Sequence, residues 1–256
     1  MPVSRPSFHC SEMSAEDRSS GSAQQLTLVV LQPSYLPWLG YFDQLRRSDV
    51  FVFYDTAAYD KNGWRNRNRI KSATGQPLWL TVPVKTRLGR PILDVEIDSR
   101  SAWRRKHIQT IAQHYRDAPY TRTYLPELQE LLGRPWRTIS ELAVETTFLL
   151  CRWLNLEGRF MRASDLTLKG DRSERLLNLC REFGATHYLS GDSANAYLDV
   201  DLFRSHGVEV IWQNYVHPVY PQQHGPFVGY LSALDLLLNC GDASSEILRG
   251  ATGSYQ

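Results

Sequence analysis

Short apolar runs and longer stretches of helical periodicity alternate along the chain. Residues 26–31 form an apolar run typical of a strand buried on both faces of a parallel sheet. The run stops at Gln32, and Pro37 stands where a helix would begin. Proline is favourable at this position, because the N–H that it lacks would have no partner in the first helical turn. A helical pattern covers residues 37–47 and a second apolar run covers residues 49–54. The chain therefore opens with a strand–helix–strand unit, whose crossover we expect to be right-handed.

The region after this unit predicts a loop and then an antiparallel hairpin. Residues 55–69 have no clear period, and we interpret them as a loop that becomes ordered around a ligand. Residues 77–84 are apolar with weak alternation, and residues 92–97 alternate more clearly. The two segments are expected to pair across a turn at residues 86–91. Such a pair would be an antiparallel addition to the parallel sheet.

Helical periodicity dominates the middle of the chain, and alternation returns in the last third. Ser101 is a candidate N-cap for a first helix, and residues 120–132 form a second helical segment inside which Pro126 marks a helix start. A long helix opens near residue 138. Further strands are expected at residues 159–163, 187–190 and 208–213, and further helices at 173–184 and 230–239, with a helical turn at 202–205. Gly184 and Gly241 are the residues that end the two longer helices.

These elements together predict an α/β fold with a mainly parallel sheet. The opening unit is Rossmann-like, a helical insertion covers about residues 101–156, and the predicted hairpin lies beside the sheet. Residues 26–250 are expected to form a single domain, which 256 residues can supply with a sizeable core. Residues 1–25, rich in serine and other small polar residues, read as a disordered N-terminal tail without a signal peptide.

Charge and cysteine content narrow the classes of partner. The formal net charge is +2, which does not favour nucleic acid or a membrane surface, and the apolar runs are shorter than the ~20 residues of a membrane helix. The four cysteines are widely spaced without a CxxC pair, which argues against a zinc ribbon or a redox motif and fits free thiols in a reducing cytoplasm. We therefore expect a cytoplasmic protein with a small, anionic ligand, and we assign no metal-binding residues. The cofactor, the metal requirement and the oligomeric state are not predicted.

The loop after the first strand is the first candidate site, because loops after parallel strands line the ligand crevice of an open sheet. Gln32, Ser34, Tyr35 and Tyr41 are placed to contact a ligand there, and the helix start beyond Pro37 favours an anion. The alternative is a rigid proline turn with aromatic packing. The loop has neither GxGxxG nor GxxxxGK[ST], so a Rossmann dinucleotide site and a P-loop are not supported.

The second candidate site is a basic and aromatic segment. It contains Lys61, Trp64, Arg65, Asn66, Asn68 and Arg69. Guanidinium groups match carboxylate and phosphate geometry, asparagines add neutral hydrogen bonds, and an indole face can stack on a sugar or a base. The alternative is a solvated charged loop.

Two titratable residues are candidates for proton transfer. Asp55 follows the second strand and is a candidate acid, base or metal-binding carboxylate, and the alternative is a helix or turn cap. His107 shares a helix face with Trp103, and it is either a proton carrier or a hydrogen-bonded core histidine.

Two further segments combine polar residues with predicted strand and helix ends. Ser190 and Asp192 follow a strand, where they would bind polar ligand groups or cap a helix. Ser232 and Asp235 lie on one face of a leucine-rich helix, where they would face a site or form a structural hydrogen-bond network. We expect Gln32, Tyr35, Asp55, Arg69 and Ser190 to lie in one crevice.

Taken together, these residues resemble the WbqC-like protein family from about residue 26 to residue 246. The resemblance rests on Gln32-Pro33, Tyr35, Pro37, Gly40-Tyr41-Phe42, Tyr54-Asp55, residues 64–66 and 68–70, Trp103, Lys106-His107, Ser190-Gly191, Tyr197, Leu202-Phe203, Pro226, residues 230–232, Asp235, Asn239 and Gly241. One departure is that Thr56, Ala57 and Ala58 replace polar residues common in the family.

The resemblance implies bacterial surface-glycan biosynthesis of the O-antigen type. We expect an enzyme of glycan or small-metabolite biosynthesis that transfers an acyl or aminoacyl group to an amino sugar or amine. In this hypothesis Asp55 or His107 moves a proton while Lys61, Arg65 and Arg69 hold an anionic donor. The alternative is a non-catalytic protein that binds a phosphorylated or nucleotide-activated ligand. An RNA-binding module built on residues 61–69 is disfavoured.

Overall fold

The computed structural model describes residues 25–61, 63–85 and 89–250, so nearly all of the predicted N-terminal tail lies outside the described residues. The strands are β1 (Thr27–Leu31), β2 (Val50–Phe53), β3 (Arg67–Lys71), β4 (Pro77–Thr81), β5 (Val84–Lys85), β6 (Glu96–Ile97), β7 (Arg159–Arg162), β8 (His187–Ser190) and β9 (Glu209–Trp212). The α-helices are α1 (Leu39–Arg46), α2 (Trp103–His114), α3 (Thr121–Gly133), α4 (Ile139–Trp153), α5 (Arg172–Phe183), α6 (Val200–Ser205), α7 (Ala233–Cys240) and α8 (Ser244–Arg249). The mixed α/β class predicted from the sequence is confirmed.

Five parallel strands form the central sheet in the order β7-β2-β1-β8-β9. The apolar run of β1 occupies the middle, where Leu28 pairs with Val50 of β2 and Thr27 pairs with His187 of β8. The chain moves outward from β1 in one direction through β2 and β7, and then in the other through β8 and β9. The strand order therefore reverses between β1 and β8, which is the position where open α/β sheets bind ligands.

Helices cover both faces of this sheet. Val29 and Phe51 pack on one side within a core that includes α1, α4 and α7. Leu28, Val30 and Val52 pack on the other side against α5 and α6. Burying each of these large side chains contributes about 1.5–3 kcal/mol, so a strand that is apolar on both faces is stable only between two helical layers.

The helix ends follow local sequence signals, with two corrections. Thr138 and Glu141 form a capping box at the start of α4, and Gly184 ends α5 in the left-handed region at a φ of 66°. The prediction that Pro126 marks a helix start is wrong, because α3 begins five residues earlier and holds this proline in its second turn. Ser101 is not the N-cap of α2; Ala102 occupies that position without a side-chain cap.

The antiparallel segments pair differently from the prediction. Residues 67–69 are not loop but the start of β3, which pairs with β4 in register from Arg67 opposite Thr81 to Lys71 opposite Pro77. The predicted partner of residues 77–84, residues 92–97, pairs only through the two-residue strands β5 and β6, because Ile92–Asp94 forms a 3-10 turn. The polar composition of β3 concealed its strand character, since Asn68 and Lys71 are buried polar residues.

Helices α2, α3 and α4 fill the predicted insertion, which lies in the long connection between β2 and β7. The same connection contains both small antiparallel pairs. Within the described residues, no helix has the length and apolar character needed to cross a membrane.

Candidate functional site

A cleft of about 470 Å³ opens at the carboxyl ends of β1, β8 and β9. Its wall includes Gln32, Ser34, Trp38, Tyr41, Gln44, Trp64, Arg65, Asn68, Ser190, Gly191, Asp192, Ser193, Tyr197, Gln213, Tyr215 and Tyr230. Residues after β1 and residues after β8 both contribute, so the cleft lies at the reversal of strand order. We call it the switch-point cleft.

Aromatic rings form one side of the switch-point cleft. The ring of Trp38 meets Tyr215 edge-on at a centroid distance of 5.1 Å and lies tilted against Tyr230 at 5.6 Å. The indole also lies directly over Gly40, where an added Cβ would approach a ring carbon to 2.2 Å. Glycine at this position therefore lets the tryptophan fold onto the first turn of α1 and leaves a flat apolar surface in the cleft.

Arg65 brings a largely buried cation to the cleft, with a side chain that is 16% exposed. Its Nη1 donates to the carbonyl of Gln32 at 3.2 Å, and its own carbonyl accepts from the backbone N–H of Tyr35 at 3.1 Å. Burial lowers the pKa of the guanidinium and the charge of Asp60 opposes this, but the group stays cationic because arginine titrates so high. The loop after β1 and the segment before β3 thus hold a positive charge together.

Four cleft-lining residues have a buried side-chain atom without a hydrogen-bond partner in the described part of the chain. These atoms are Tyr41 Oη, Gln44 Oε1, Arg65 Nε and Tyr215 Oη. Arg65 Nε does lie 3.5 Å from Asp60 Oδ1, and the nearby Thr147 offsets part of the rise that burial causes in the pKa of Tyr41. An unpaired buried polar atom costs about 1–3 kcal/mol. A polar ligand that supplied the missing partners would therefore be stabilised here.

Two glutamine amides form a chain at the floor of the cleft. Gln213 Nε2 donates to the carbonyl of Gly40 at 2.8 Å and to Asp43 Oδ2 at 2.9 Å. Its Oε1 accepts from Gln44 Nε2 at 2.8 Å. Asp43 itself is held by Arg46 Nη2 at 2.8 Å. The chain joins α1 to the residue that follows β9 and fixes both amide orientations.

Backbone strain is concentrated beside the cleft. Leu36 and Tyr230 are not glycines, yet they have φ values of 45° and 58°, in the left-handed region that L-residues rarely adopt. Asn68 Nδ2 donates to the carbonyl of Leu36 at 2.7 Å, and Arg69 Nη2 donates to the carbonyl of Tyr230 at 3.1 Å. Two residues of β3 thus hold the two strained loops in place. Such strain persists only where surrounding contacts fix the backbone, and it is often found at binding sites.

Asn66 and Ser232 are predicted ligand-binding residues that instead bond within the protein. Asn66 accepts from Tyr59 Oη at 2.9 Å and donates to the carbonyl of Val82 at 2.7 Å. Ser232 caps α7 by accepting from the backbone N–H of Leu234 at 3.2 Å. Both residues are buried and outside the cleft wall, where they position the elements that form it.

The structure places both proposed proton carriers outside the cleft wall. Asp55 accepts from the backbone N–H of Ser164 at 2.9 Å and from its Oγ at 2.8 Å, and Arg162 lies 3.8 Å away. His107 bonds Tyr35 Oη through Nδ1 at 3.0 Å and the carbonyl of Thr81 through Nε2 at 3.2 Å. Because that carbonyl only accepts, Nε2 carries the proton and Nδ1 accepts from the phenol.

The burial of His107 also sets its charge state. Desolvation lowers the pKa of the imidazole to about 4, although the bond to the Thr81 carbonyl raises it slightly. His107 is thus neutral at physiological pH and is hydrogen-bonded to Tyr35, whose pKa burial raises.

The predicted crevice of five residues is only partly assembled, because Gln32 and Ser190 line the cleft while Tyr35, Asp55 and Arg69 do not.

Asp235 belongs to a buried hydrogen-bond network outside the cleft wall. Its carboxylate accepts from Tyr115 Oη at 2.6 Å, from Tyr220 Oη at 2.9 Å and from Gln222 Nε2 at 2.7 Å. Burial raises the pKa of Asp235, while these donors lower it. Lys71 joins the network by donating to Gln222 Oε1 at 3.2 Å. These contacts hold the loop before α7 against β3 and are typical of a structural role.

The remaining predicted residues lie at the mouth of the cleft or outside it. Trp64 is 37% exposed, and Asp192 is exposed with Oδ1 accepting from the backbone N–H of Asn214 at 3.0 Å. Lys61 is exposed and does not line the cleft. The described residues contain no cluster of three or more His, Cys, Asp or Glu side chains that could hold a metal ion.

Gln44, Gln213 and Tyr215 are cleft residues that the sequence analysis missed. Gln213 and Tyr215 follow β9, so the rule applied to Gln32 and Ser190, that residues after parallel strands line the crevice, would have found them. Gln44 lies within α1, and no local signal marks it.

The sheet and its helices define an α/β protein with a doubly wound parallel sheet, and a polar, aromatic cleft lies at its switch point. The chain belongs to the WbqC-like protein family, whose model matches residues 32–247. It is 34% identical over 226 residues to a protein of Mycobacterium tuberculosis that carries the name "Uncharacterized protein Rv1507c". The alignment covers 87% of this chain and 97% of that relative. No solved structure matches the chain. The resemblance seen in the sequence is thus confirmed.

Proposed function

We propose that the protein is a group-transfer enzyme of bacterial glycan or small-metabolite biosynthesis, and that its donor substrate binds in the switch-point cleft. The observation that carries this proposal is the buried guanidinium of Arg65, which faces a cleft walled by aromatic rings. A cation beside flat apolar surfaces matches a ligand with an acidic group and a planar ring, as in a nucleotide-activated donor. The buried free thiols of Cys151, Cys180 and Cys240 support placing the reaction in the cytoplasm.

Within this proposal the donor has an acyl or aminoacyl group, and the acceptor is an amino sugar or another amine. Asp55 and His107 have internal hydrogen-bond partners, so we assign proton acceptance to Asp192, the carboxylate among the described cleft-lining residues. Its Oδ1 is held by the N–H of Asn214, which leaves Oδ2 to take a proton from the attacking amine. The amine nitrogen bonds to the acyl carbon, the bond from that carbon to the leaving group of the donor breaks, and the leaving group departs with the electron pair of that bond. An exposed loop position lets the acceptor reach this carboxylate.

Binding is tested by calorimetry with two probes that combine phosphate groups with a planar base, uridine diphosphate and coenzyme A, of which coenzyme A is also a carrier of acyl groups. We expect at least one of them to bind, and Arg65→Gln to weaken it by about tenfold or more, because a charged hydrogen bond contributes about 1.5–3 kcal/mol. Arg65→Lys keeps the charge but loses the planar guanidinium, so its affinity should fall between those of the native protein and Arg65→Gln. Arg204→Gln removes an exposed arginine that pairs with Asp201 and serves as the matched control. Equal affinity for Arg65→Gln and the native protein would contradict the proposal.

A non-catalytic binding protein is the second candidate function, and the internal bonding of both Asp55 and His107 favours it. The two functions differ in what Asp192→Asn does. If the protein is an enzyme, this variant keeps ligand affinity within a few-fold and abolishes transfer to an amine acceptor. Mass spectrometry of the product measures this transfer. Ligand binding by the native protein without turnover across amine acceptors would decide for the binding protein.

A further inference from the structure

The hairpin formed by β3 and β4 has one buried face and one exposed face. Asn68, Ile70 and Leu80 point into the protein and are at most 2% exposed. The strand register places Arg69 opposite Trp79, and alternation places Arg67 on the same outer face. The outer face therefore presents guanidinium groups and an indole to solvent.

Trp64 joins this face from the preceding segment. Its ring lies 5.1 Å from the ring of Trp79, tilted by 38°, and the two indoles are 37% and 43% exposed. The guanidinium of Arg67 lies 4.5 Å from the centre of the Trp79 ring, and that of Arg69 lies 5.2 Å from the Trp64 ring. We call Trp64, Arg67, Arg69 and Trp79 the tryptophan platform. Adjacent exposed indoles with stacked arginines are typical of a recognition surface rather than of a solvated strand.

The tryptophan platform is continuous with the switch-point cleft. Trp64 belongs to both, because it also lines the cleft wall. Arg69 connects them a second time, since its Nη2 bonds the carbonyl of Tyr230, another cleft residue, at 3.1 Å. A molecule on the platform would thus lie beside the end of a molecule in the cleft.

We propose that the tryptophan platform is a second binding site, and that its ligand is an acidic saccharide. The apolar C–H face of a pyranose ring packs on an indole, while a neighbouring guanidinium donates to a carboxylate or phosphate on the sugar. The platform offers both groups within one hairpin face. That an acidic saccharide with an amino group serves as the acceptor rests on the proposed function, whereas the binding of an acidic saccharide to the platform does not.

Nucleic acid fits the platform less well. Single-stranded binding requires a groove that neutralises successive phosphates, and the whole chain has a formal net charge of +2. The two indoles are also in contact with each other, which leaves no gap for a base between them. A short, charged sugar needs neither feature.

Trigalacturonic acid is the probe, with a neutral trisaccharide of galactose and a deoxythymidine decamer as comparisons, and quenching of tryptophan fluorescence is the readout. We expect trigalacturonic acid to bind the native protein at least several-fold tighter than either comparison. Trp79→Ala should weaken it by about tenfold, and Trp79→Phe by less, because an aromatic face remains. Arg204→Gln should bind like the native protein. Thermal unfolding checks that each variant is folded.

Three results would overturn the platform proposal. These are undetectable binding of trigalacturonic acid at millimolar concentration, tighter binding of the decamer, and an unchanged affinity in folded Trp79→Ala. Measuring uridine diphosphate and coenzyme A with the same variants separates this proposal from the proposed function. Arg65→Gln should weaken the cleft probe, and Trp79→Ala the saccharide. If Arg65→Gln leaves the affinity for the cleft probe unchanged, the proposed function fails. If Trp79→Ala leaves the affinity for the saccharide unchanged, the platform proposal fails.

Discussion

Single side chains determine which part of the sheet edge is open to a ligand. Asp55 follows β2 and Gln32 follows β1, and in the sequence the two positions look equivalent. In the structure Asp55 gives both carboxylate oxygens to Ser164, whereas Gln44 Oε1 and Tyr215 Oη in the switch-point cleft have no hydrogen-bond partner among the described residues. The position after a strand was predictable from the sequence. The partner of Asp55 was not, because Ser164 lies 109 residues further along the chain.

His107 gives a prediction of pH dependence at this scale. Its folded-state pKa of about 4 lies below the ordinary value of 6.5, so between these values the unfolded chain binds a proton that the folded protein excludes. Stability contributed by this group is present above pH 6.5 and is lost as the pH falls, by up to about 3 kcal/mol near pH 4. His107→Gln should flatten this part of the profile in urea unfolding. His206→Gln, an exposed histidine, is the control, and equal slopes for native protein and His107→Gln would refute the assignment.

Elements with strong hydrophobic patterns were predictable, and elements built on buried polar residues were not. The apolar runs of β1 and β2 are strands because they are buried on both faces, and their type and order follow from the sequence. Strand β3 reads Arg-Asn-Arg-Ile-Lys and lacks such a run. Its Asn68 is buried only because it bonds the carbonyl of Leu36, a contact from another loop. Tertiary partners thus override the local pattern.

Helix α4 provides a prediction at the scale of elements. Thr138 Oγ1 accepts from the backbone N–H of Glu141, and the Glu141 carboxylate accepts from the N–H of Thr138 at 3.0 Å. Thr138→Ala should lower the free energy of unfolding by about 1 kcal/mol, because one donor of the first turn loses its partner. Thr138→Ser keeps the acceptor and serves as the control. Urea titration measures both, and equal losses would show that the methyl group, not the cap, supplies the stability.

The molecule as a whole joins a doubly wound sheet to a hairpin that comes from the long connection between β2 and β7. The sheet supplies the carboxyl ends of β1, β8 and β9, and that connection brings Trp64, Arg65 and Asn68 to the same cleft. The opening unit and the helical insertion were predictable from periodicity. The approach of the hairpin to the sheet edge was not, since it depends on long-range bonds such as Arg65 to Gln32.

This arrangement predicts that a cleft ligand protects distant segments together. With uridine diphosphate or coenzyme A, whichever binds, at about 100 times its Kd, the folded state gains about 2.7 kcal/mol. Hydrogen exchange should then slow in residues 32–38, 64–68, 190–194 and 213–215, because all four segments line the cleft. Helix α3 lies outside the cleft wall and is the internal control. Slowing confined to a single segment would contradict a shared site.

The glutamine chain of the cleft floor gives the site a direction. Gly40 O and Asp43 Oδ2 accept hydrogen bonds, so Gln213 must turn its nitrogen toward them and its oxygen toward Gln44. Gln44 Nε2 donates to Gln213, so the side-chain atom of Gln44 that remains without a partner among the described residues is Oε1. Gln44 Oε1 accepts a hydrogen bond from an O–H or N–H group and repels an oxyanion, whereas the guanidinium of Arg65 attracts an oxyanion. The cleft is therefore polarised, and a ligand with an acidic head and a hydrogen-donating tail can enter it in one orientation.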